Sequence, residues 1–178
     1  MTELSSERLL FRTLTEHDVT ERYVAWLNDP EVNRYLETRF ALQTLDSCSQ
    51  FVAAMNRDPN SHLFGIFEKH NDRHIGNIKL GFIKPHHGSG QLSLLIGEKS
   101  CWGAGYATES VRRLTGWGLT ELGLERVEAG CYDENLASLR AFLKVGYSIE
   151  GYFRKSVAID GRRIGCFWMG ILRSEFAG

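Results

Sequence analysis

Apolar positions change their spacing several times along the chain, and each change marks an element. Arg8-Leu-Leu-Phe-Arg12 reads as a short strand. Thr15-Glu-His-Asp18 then supplies an N-cap and acidic first-turn residues for a helix expected to run to about Leu27. Asp29-Pro30-Glu31 predicts a second, short helix with proline at its first position, where the missing N–H costs nothing. Thr44 caps a third helix, with Phe51, Val52 and Met55 as its inward face.

From Leu63 to Phe67 and from His74 to Ile83 the pattern turns β-like, with Asn71-Asp72 suited to the turn between the two runs. Gln91 to Gly97 is apolar throughout its centre, as expected of a strand covered on both faces. Ala107, Val111, Leu114, Gly118 and Leu122 then recur at helical spacing, and Gly123 sits where a left-handed cap ends the helix. Arg126 to Tyr132 alternates with period two, a helix follows from near Asn135 to Gly146, and two strands, Ser148–Ile159 and Arg163–Leu172, flank Asp160-Gly161 as a type I′ turn. This order describes a mixed sheet with helices on both faces, and the unit over residues 91–132 is its parallel, right-handed part. No repeat, linker or low-complexity tract interrupts it, so residues 1–178 are expected to form a single domain.

Composition narrows the functional classes. The 21 basic and 22 acidic residues are dispersed, which leaves no basic stripe for nucleic acid. No apolar run suits a bilayer and the N-terminal segment lacks the order of a signal peptide, so no membrane partner and a cytoplasmic location are expected. Cys48, Cys101, Cys131 and Cys166 have neither metal-ligand spacing nor the pattern of a disulfide framework, and read as reduced thiols. His62, His70, His74, His86 and His87 are scattered over strands and loops without a carboxylate at fixed spacing, so no metal site is expected.

The candidate chemistry lies in the turn Trp102-Gly103-Ala104-Gly105-Tyr106-Ala107, between a buried strand and an amphipathic helix. Glycines allow close backbone approach, and the helix start offers unpaired N–H groups with a partial positive charge, so the expected guest is a phosphate or pyrophosphate, the alternative being that Gly103 and Gly105 only shape the turn. Neither a Walker loop nor the three-glycine dinucleotide fingerprint fits these residues.

Cys101-Trp-Gly-Ala-Gly-Tyr-Ala-Thr-Glu109 resembles the pyrophosphate loop of the GNAT acetyltransferase superfamily, in the version found in ribosomal-protein N-terminal acetyltransferases and their relatives. Trp26 to Tyr35 is similar to that branch's early helices, Asn135 to Tyr147 to its last helix, and Asp160-Gly161 to its terminal hairpin, so the resemblance spans almost the entire chain. It implies an α+β fold whose mixed, mostly antiparallel sheet has a parallel splay at its middle, between Leu94–Gly97 and Val127–Cys131. It also implies acetyl-CoA as co-substrate, an amine acceptor, and an oligomeric state that is often a homodimer.

One position departs from the superfamily pattern: Ser100 stands where an arginine or glutamine usually supports the loop. Asn135 resembles the asparagine that contacts the pantetheine arm, with Ser138 beside it, and a plain N-cap is compatible with that role. The free N–H of Leu95 or Ile96 is the candidate donor to the developing oxyanion. The tyrosine that often protonates the leaving thiolate is replaced by Phe142, which leaves Ser138 as the first substitute, then Tyr132 or unassisted departure. Gln91 holds the position of a frequent strand carboxylate, so Glu98 and Glu37 are the remaining candidate bases. Acceptor recognition is expected from Tyr35 to Phe40, including Glu37 and Arg39, together with Asn77 and Lys79. The acceptor classes are a protein N-terminus, an amino sugar nucleotide or another small amine. The reading from a different class is a non-catalytic acyl-CoA sensor.

Overall fold

Strand residues that alternate in the sequence divide between two cores on opposite faces of one sheet. The computed structural model describes residues 2–178. Its strands are β1 (Glu3–Ser5), β2 (Leu9–Thr13), β3 (His62–Glu68), β4 (Arg73–Lys84), β5 (Ser89–Ile96), β6 (Arg126–Tyr132), β7 (Ser148–Ile159) and β8 (Arg162–Leu172). They lie in the order β1-β2-β3-β4-β5-β6-β8-β7, antiparallel everywhere except between β5 and β6. That parallel ladder covers only Ser89–Arg126, Gly90–Val127 and Gln91–Glu128. From Leu92 onward β5 leaves β6, and the sheet opens at its centre.

Helices α3 (Tyr106–Thr120) and α4 (Leu136–Val145) cover one face through Val111, Leu114, Trp117, Phe142 and Val145. Helices α1 (Glu21–Asn28) and α2 (Leu45–Arg57) cover the other through Tyr23, Trp26, Leu27, Cys48 and Val52. Each fully buried leucine or valine among these contributes about 1.5–3 kcal/mol of transfer free energy. No described helix is long and apolar enough to cross a membrane.

Local chemistry explains where the elements differ from expectation. The expected first helix divides in two. Thr15 and Asp18 satisfy each other across a single 3-10 turn, Glu16–Asp18, after which Val19 is extended and Thr20 caps α1 by accepting from the Tyr23 N–H. No helix forms over Pro30. The Asn33 N–H closes one turn on the Asp29 carbonyl, the Asp29 carboxylate is held by Lys99 at 2.7 Å, and the chain continues through turns to a 3-10 segment, Glu37–Phe40. Thr44 caps α2 in a reciprocal pair with Ser47, but of its expected inward residues Phe51 is exposed and only Val52 is fully buried. Strand β1, three residues long, carried no recognisable pattern. The terminal hairpin turns on Asp160 and Gly161, both with positive φ, as a type I′ turn demands.

Candidate active site

Gly103 and Gly105, at φ +76° and +86°, take the left-handed conformations that turn the chain from a 3-10 segment, Lys99–Cys101, into α3. The backbone N–H groups from Gly103 through Thr108 have no intramolecular partner among the described residues. They sit at the positive end of a 15-residue helix. A Cβ placed on Gly103 would meet nothing within 4 Å, and one on Gly105 would meet only Arg8 Nη2, at 3.4 Å, so the backbone of the two glycines is open to a ligand. A phosphate fits there by charge and hydrogen-bonding capacity.

Two ion pairs brace this turn, and neither was evident from the sequence. Arg8 Nε donates to Glu109 Oε2 at 2.7 Å, its Nη1 to the Ala104 carbonyl at 3.0 Å, and its guanidinium lies 4.4 Å from the Tyr106 ring centre. On the other side, buried Glu68 accepts from Arg73 Nε at 2.8 Å and from the Tyr106 hydroxyl at 2.9 Å. Burial acts to raise the Glu68 pKa, but hydrogen bonds from Arg73, Tyr106 and Asn71 outweigh it and hold the carboxyl below its ordinary value. Arg73 also reaches Ser100 Oγ at 3.4 Å and Cys101 Sγ at 3.2 Å, so a guanidinium from β4 occupies the region where the loop itself lacks one. Sequence spacing could not reveal these partners, because Arg8 and Glu109 lie 101 residues apart.

The turn folds back on the strand that precedes it. Trp102 Nε1 donates to the Ile96 carbonyl at 2.8 Å, and Trp26 of α1 lies on Gly97 so closely that a Cβ there would come within 2.1 Å of the indole. Strand register separates the two candidate oxyanion donors. The Gly97 N–H bonds the Ile75 carbonyl at 2.9 Å, and backbone groups alternate along a strand, so the amide of Leu95 is directed at its β4 partner Asn77. The amides of Leu94 and Ile96 point the other way, into the splay. Leu95 is therefore excluded as the oxyanion donor.

A cavity of about 470 Å³ opens on the α1/α2 side of the splay. Leu94, Leu95, Gly130 and Tyr132 form its sheet wall, and Tyr35 and Glu37 its outer wall. There the Tyr132 hydroxyl donates a short hydrogen bond to Glu37 Oε1 and accepts one from Arg39 Nη1 at 3.1 Å. Arg39 also donates to the Leu36 carbonyl at 2.6 Å and the Ala158 carbonyl at 3.0 Å. Its guanidinium is thus engaged within the protein, not presented for an acceptor. Asn77 and Lys79 line the same cavity.

Other sequence candidates lie elsewhere. Glu98 follows β5, accepts from Ser100 Oγ at 3.1 Å and is not part of the cavity wall. Asn135 caps α4 by accepting from the Ser138 N–H at 3.2 Å, and its own N–H bonds the Tyr132 carbonyl, which sets the helix start beside the end of β6. Ser138 belongs to this first turn and does not line the cavity. Phe142 is buried against Tyr147, with ring centres 5.0 Å apart. His74 is likewise packed among aromatics, stacked on Phe67.

Comparison with known proteins agrees with this geometry. A family model described as an acetyltransferase (GNAT) domain matches residues 8–148. An uncharacterized N-acetyltransferase, p20, from Bacillus licheniformis is 29% identical over 180 residues, covering 100% of both chains. Among solved structures, a GNAT-family acetyltransferase from Bacillus anthracis superposes with a TM-score of 0.84 at 24% identity, covering 98% of this chain and 100% of that one. A spermidine N-acetyltransferase from Vibrio cholerae, solved with CoA and spermine, superposes with a TM-score of 0.86 at 20% identity, over 97% and 100% of the two chains. The parallel splay, the amide-lined turn and the family match together make this chain a member of the GNAT acetyltransferase family, and an N-acetyltransferase.

Proposed function

We propose that the protein moves an acetyl group from acetyl-CoA to a primary amine by direct attack in a ternary complex. The observation that carries this reading is the row of unpartnered N–H groups from Gly103 to Thr108, set at the mouth of a splay that opens into a separate cavity. Gly103, Ala104, Gly105, Tyr106 and Ala107 would hold the pyrophosphate, with Trp102 bracing Ile96 and Asn135 and Ser138 flanking the pantetheine arm. The likeness of the loop to the ribosomal-protein N-terminal acetyltransferase branch supports an amine acceptor, whether a protein N-terminus, an amino sugar nucleotide or another small amine.

Acetyl-CoA, when bound, supplies the activated acetyl thioester. The Ile96 N–H donates to the carbonyl oxygen as negative charge develops there. An alkylamine has a pKa of about 10.4 and must lose a proton to attack. Glu37 accepts that proton, directly or through Tyr132. Tyr132 then delivers a proton to the departing sulfur, with Arg39 stabilising the phenolic oxygen during transfer.

The test is titration of acetyl-CoA while free thiol release is followed across a panel of primary amines. Saturable, amine-dependent release is expected. Gly103→Glu and Gly105→Glu should abolish CoA binding by placing a carboxylate against pyrophosphate, and unchanged binding in both variants would overturn the cofactor assignment.

A further inference from the structure

The inner floor of the acceptor cavity is rich in hydrogen-bond donors. Asn77 and Lys79 on β4 pair with Leu95 and Ser93 on β5, and all four line the cavity. His74 Nε2 lies 2.9 Å from the Gly76 carbonyl oxygen and 2.8 Å from Asn77 Oδ1. A carbonyl oxygen only accepts, so Nε2 carries the proton and the Asn77 amide meets it with its oxygen. The Asn77 amide nitrogen, with its two N–H groups, has no protein partner among the described residues and is not among the sealed, unsatisfied atoms.

Lys79, two residues on from Asn77 along the same face of β4, lines the cavity, and its side chain runs past Gly81 to the far end of the floor. Its ammonium lies over the Phe82 ring at 4.8 Å and is paired with no carboxylate among the described residues. Asp58, the acidic group that acts on it, is already bonded to the Asn60 N–H and the Ser61 hydroxyl. Burial depresses the Lys79 pKa, as expected of a cation whose desolvation is poorly compensated. The Ser93 hydroxyl, across the strand pair, completes a set of amide, ammonium and hydroxyl donors.

We infer that the acceptor carries an anionic group, a carboxylate or a phosphate, about 10 Å from its reactive amine, and that Asn77, Lys79 and Ser93 hold that group. The spacing follows from strand geometry: β5 rises about 3.3 Å per residue, so Ser93 lies roughly 10 Å along the strand from the Ile96 amide that faces the splay. The acidic side chain of Glu37 stands at the other side of the cavity, where the amine is needed. An acceptor with ammonium groups at both ends would set one of them against Lys79. The inference rests on the acetyl-transfer reading above.

Three linear probes with the same number of bonds between nitrogen and terminal oxygen decide it: 7-aminoheptanoate, 5-aminopentyl phosphate and 7-amino-1-heptanol. At least one of the two anionic probes should exceed the alcohol about tenfold or more in kcat/KM, the size expected of a charged hydrogen bond, and whichever does so identifies carboxylate or phosphate. Lys79→Met should bring that ratio near one, and Ser93→Ala, a milder change, should lower it in part, with thermal melts confirming that both variants are folded. Equal kcat/KM for all three probes in the unaltered protein, or a ratio that survives Lys79→Met, overturns the inference. Calorimetry of the same probes on CoA-loaded protein reads the floor without turnover. If no probe is acetylated, the acetyl-transfer reading fails for these amines, while the calorimetric ratio still supports or overturns the anion site.

Discussion

Glu109, in the first turn of α3, accepts hydrogen bonds from both the backbone N–H and the Nε of Arg8, at 2.8 and 2.7 Å. The N-terminal strand thereby reaches the turn that faces the cofactor. Burial would raise the Glu109 pKa, but the bonds from Ser6 and Arg8 dominate and keep it ionised. An ionised carboxylate in the first turn complements the helix dipole, yet it stands close to where a pyrophosphate would bind. Arg8 offsets that charge and restrains the Ala104 carbonyl.

Arg8→Ala should therefore weaken CoA binding by about 1 kcal/mol, roughly fivefold, with a larger effect at low ionic strength. Adding Glu109→Gln to Arg8→Ala should restore part of the affinity, since the uncompensated charge is removed. Calorimetric titration of CoA at two salt concentrations checks both. A double variant that binds no better than Arg8→Ala would assign the effect to loop geometry alone.

Gly97 joins the two halves of the site. Its missing Cβ leaves room for the Trp26 indole, which also packs edge-on against His74 at 5.1 Å between ring centres. Gly97→Ala must displace α1 or the end of β5, an overpacking cost of about 1–3 kcal/mol. Thermal denaturation should show Tm lowered by about 2–12 °C, at about 2–4 °C per kcal/mol for a chain of this size.

The parts of the site that are legible in the sequence are those made by neighbours in the chain. The glycine turn, the Asn135 cap and the Asp160-Gly161 hairpin depend on backbone conformations that a few adjacent residues dictate. The segment after Asp29 misled because a favourable start, Asp-Pro-Glu, was overridden by the Lys99 contact and by a single closed turn. Arg8, Arg73 and Ser93 were not singled out because their roles arise only when distant strands lie side by side. Leu95 and Ile96 could be separated only by strand register, which a single strand does not contain.

Tyr132 provides the most direct test of the proposed chemistry. Its hydroxyl bridges Arg39 Nη1 and Glu37 Oε1, which also face each other directly at 3.6 Å, and the ring itself packs against Tyr35 at 6.1 Å. Tyr132→Phe keeps that packing and removes the proton carrier. The variant should lose roughly 10²-fold in kcat, the lower end of general acid–base contributions, with little change in the KM for acetyl-CoA. Combining it with Glu37→Gln should cost little more than either change alone, because groups that act as one relay are not additive. Multiplicative losses in steady-state kinetics would show that the two residues act separately.

The pH dependence of stability should separate imidazole from carboxylate contributions. Burial lowers the pKa of both His74 and His62 from the ordinary 6.5. A histidine whose folded pKa is depressed binds fewer protons folded than unfolded in the interval between the two values, so stability falls as pH drops through 6.5 and levels off below the folded pKa. Glu68, Glu109 and Asp18 are held below their ordinary values, 4.5 for glutamate and 3.8 for aspartate, so the stability they contribute is lost only under more acidic conditions. Two acid steps are expected in a plot of Tm against pH. His74→Gln keeps an N–H donor for Gly76 and Asn77 but cannot titrate, so it should flatten the step that begins near pH 6.5 and leave the step near pH 4 in place. If His74→Gln and His62→Gln together leave the upper step unchanged, that step does not come from these two buried imidazoles.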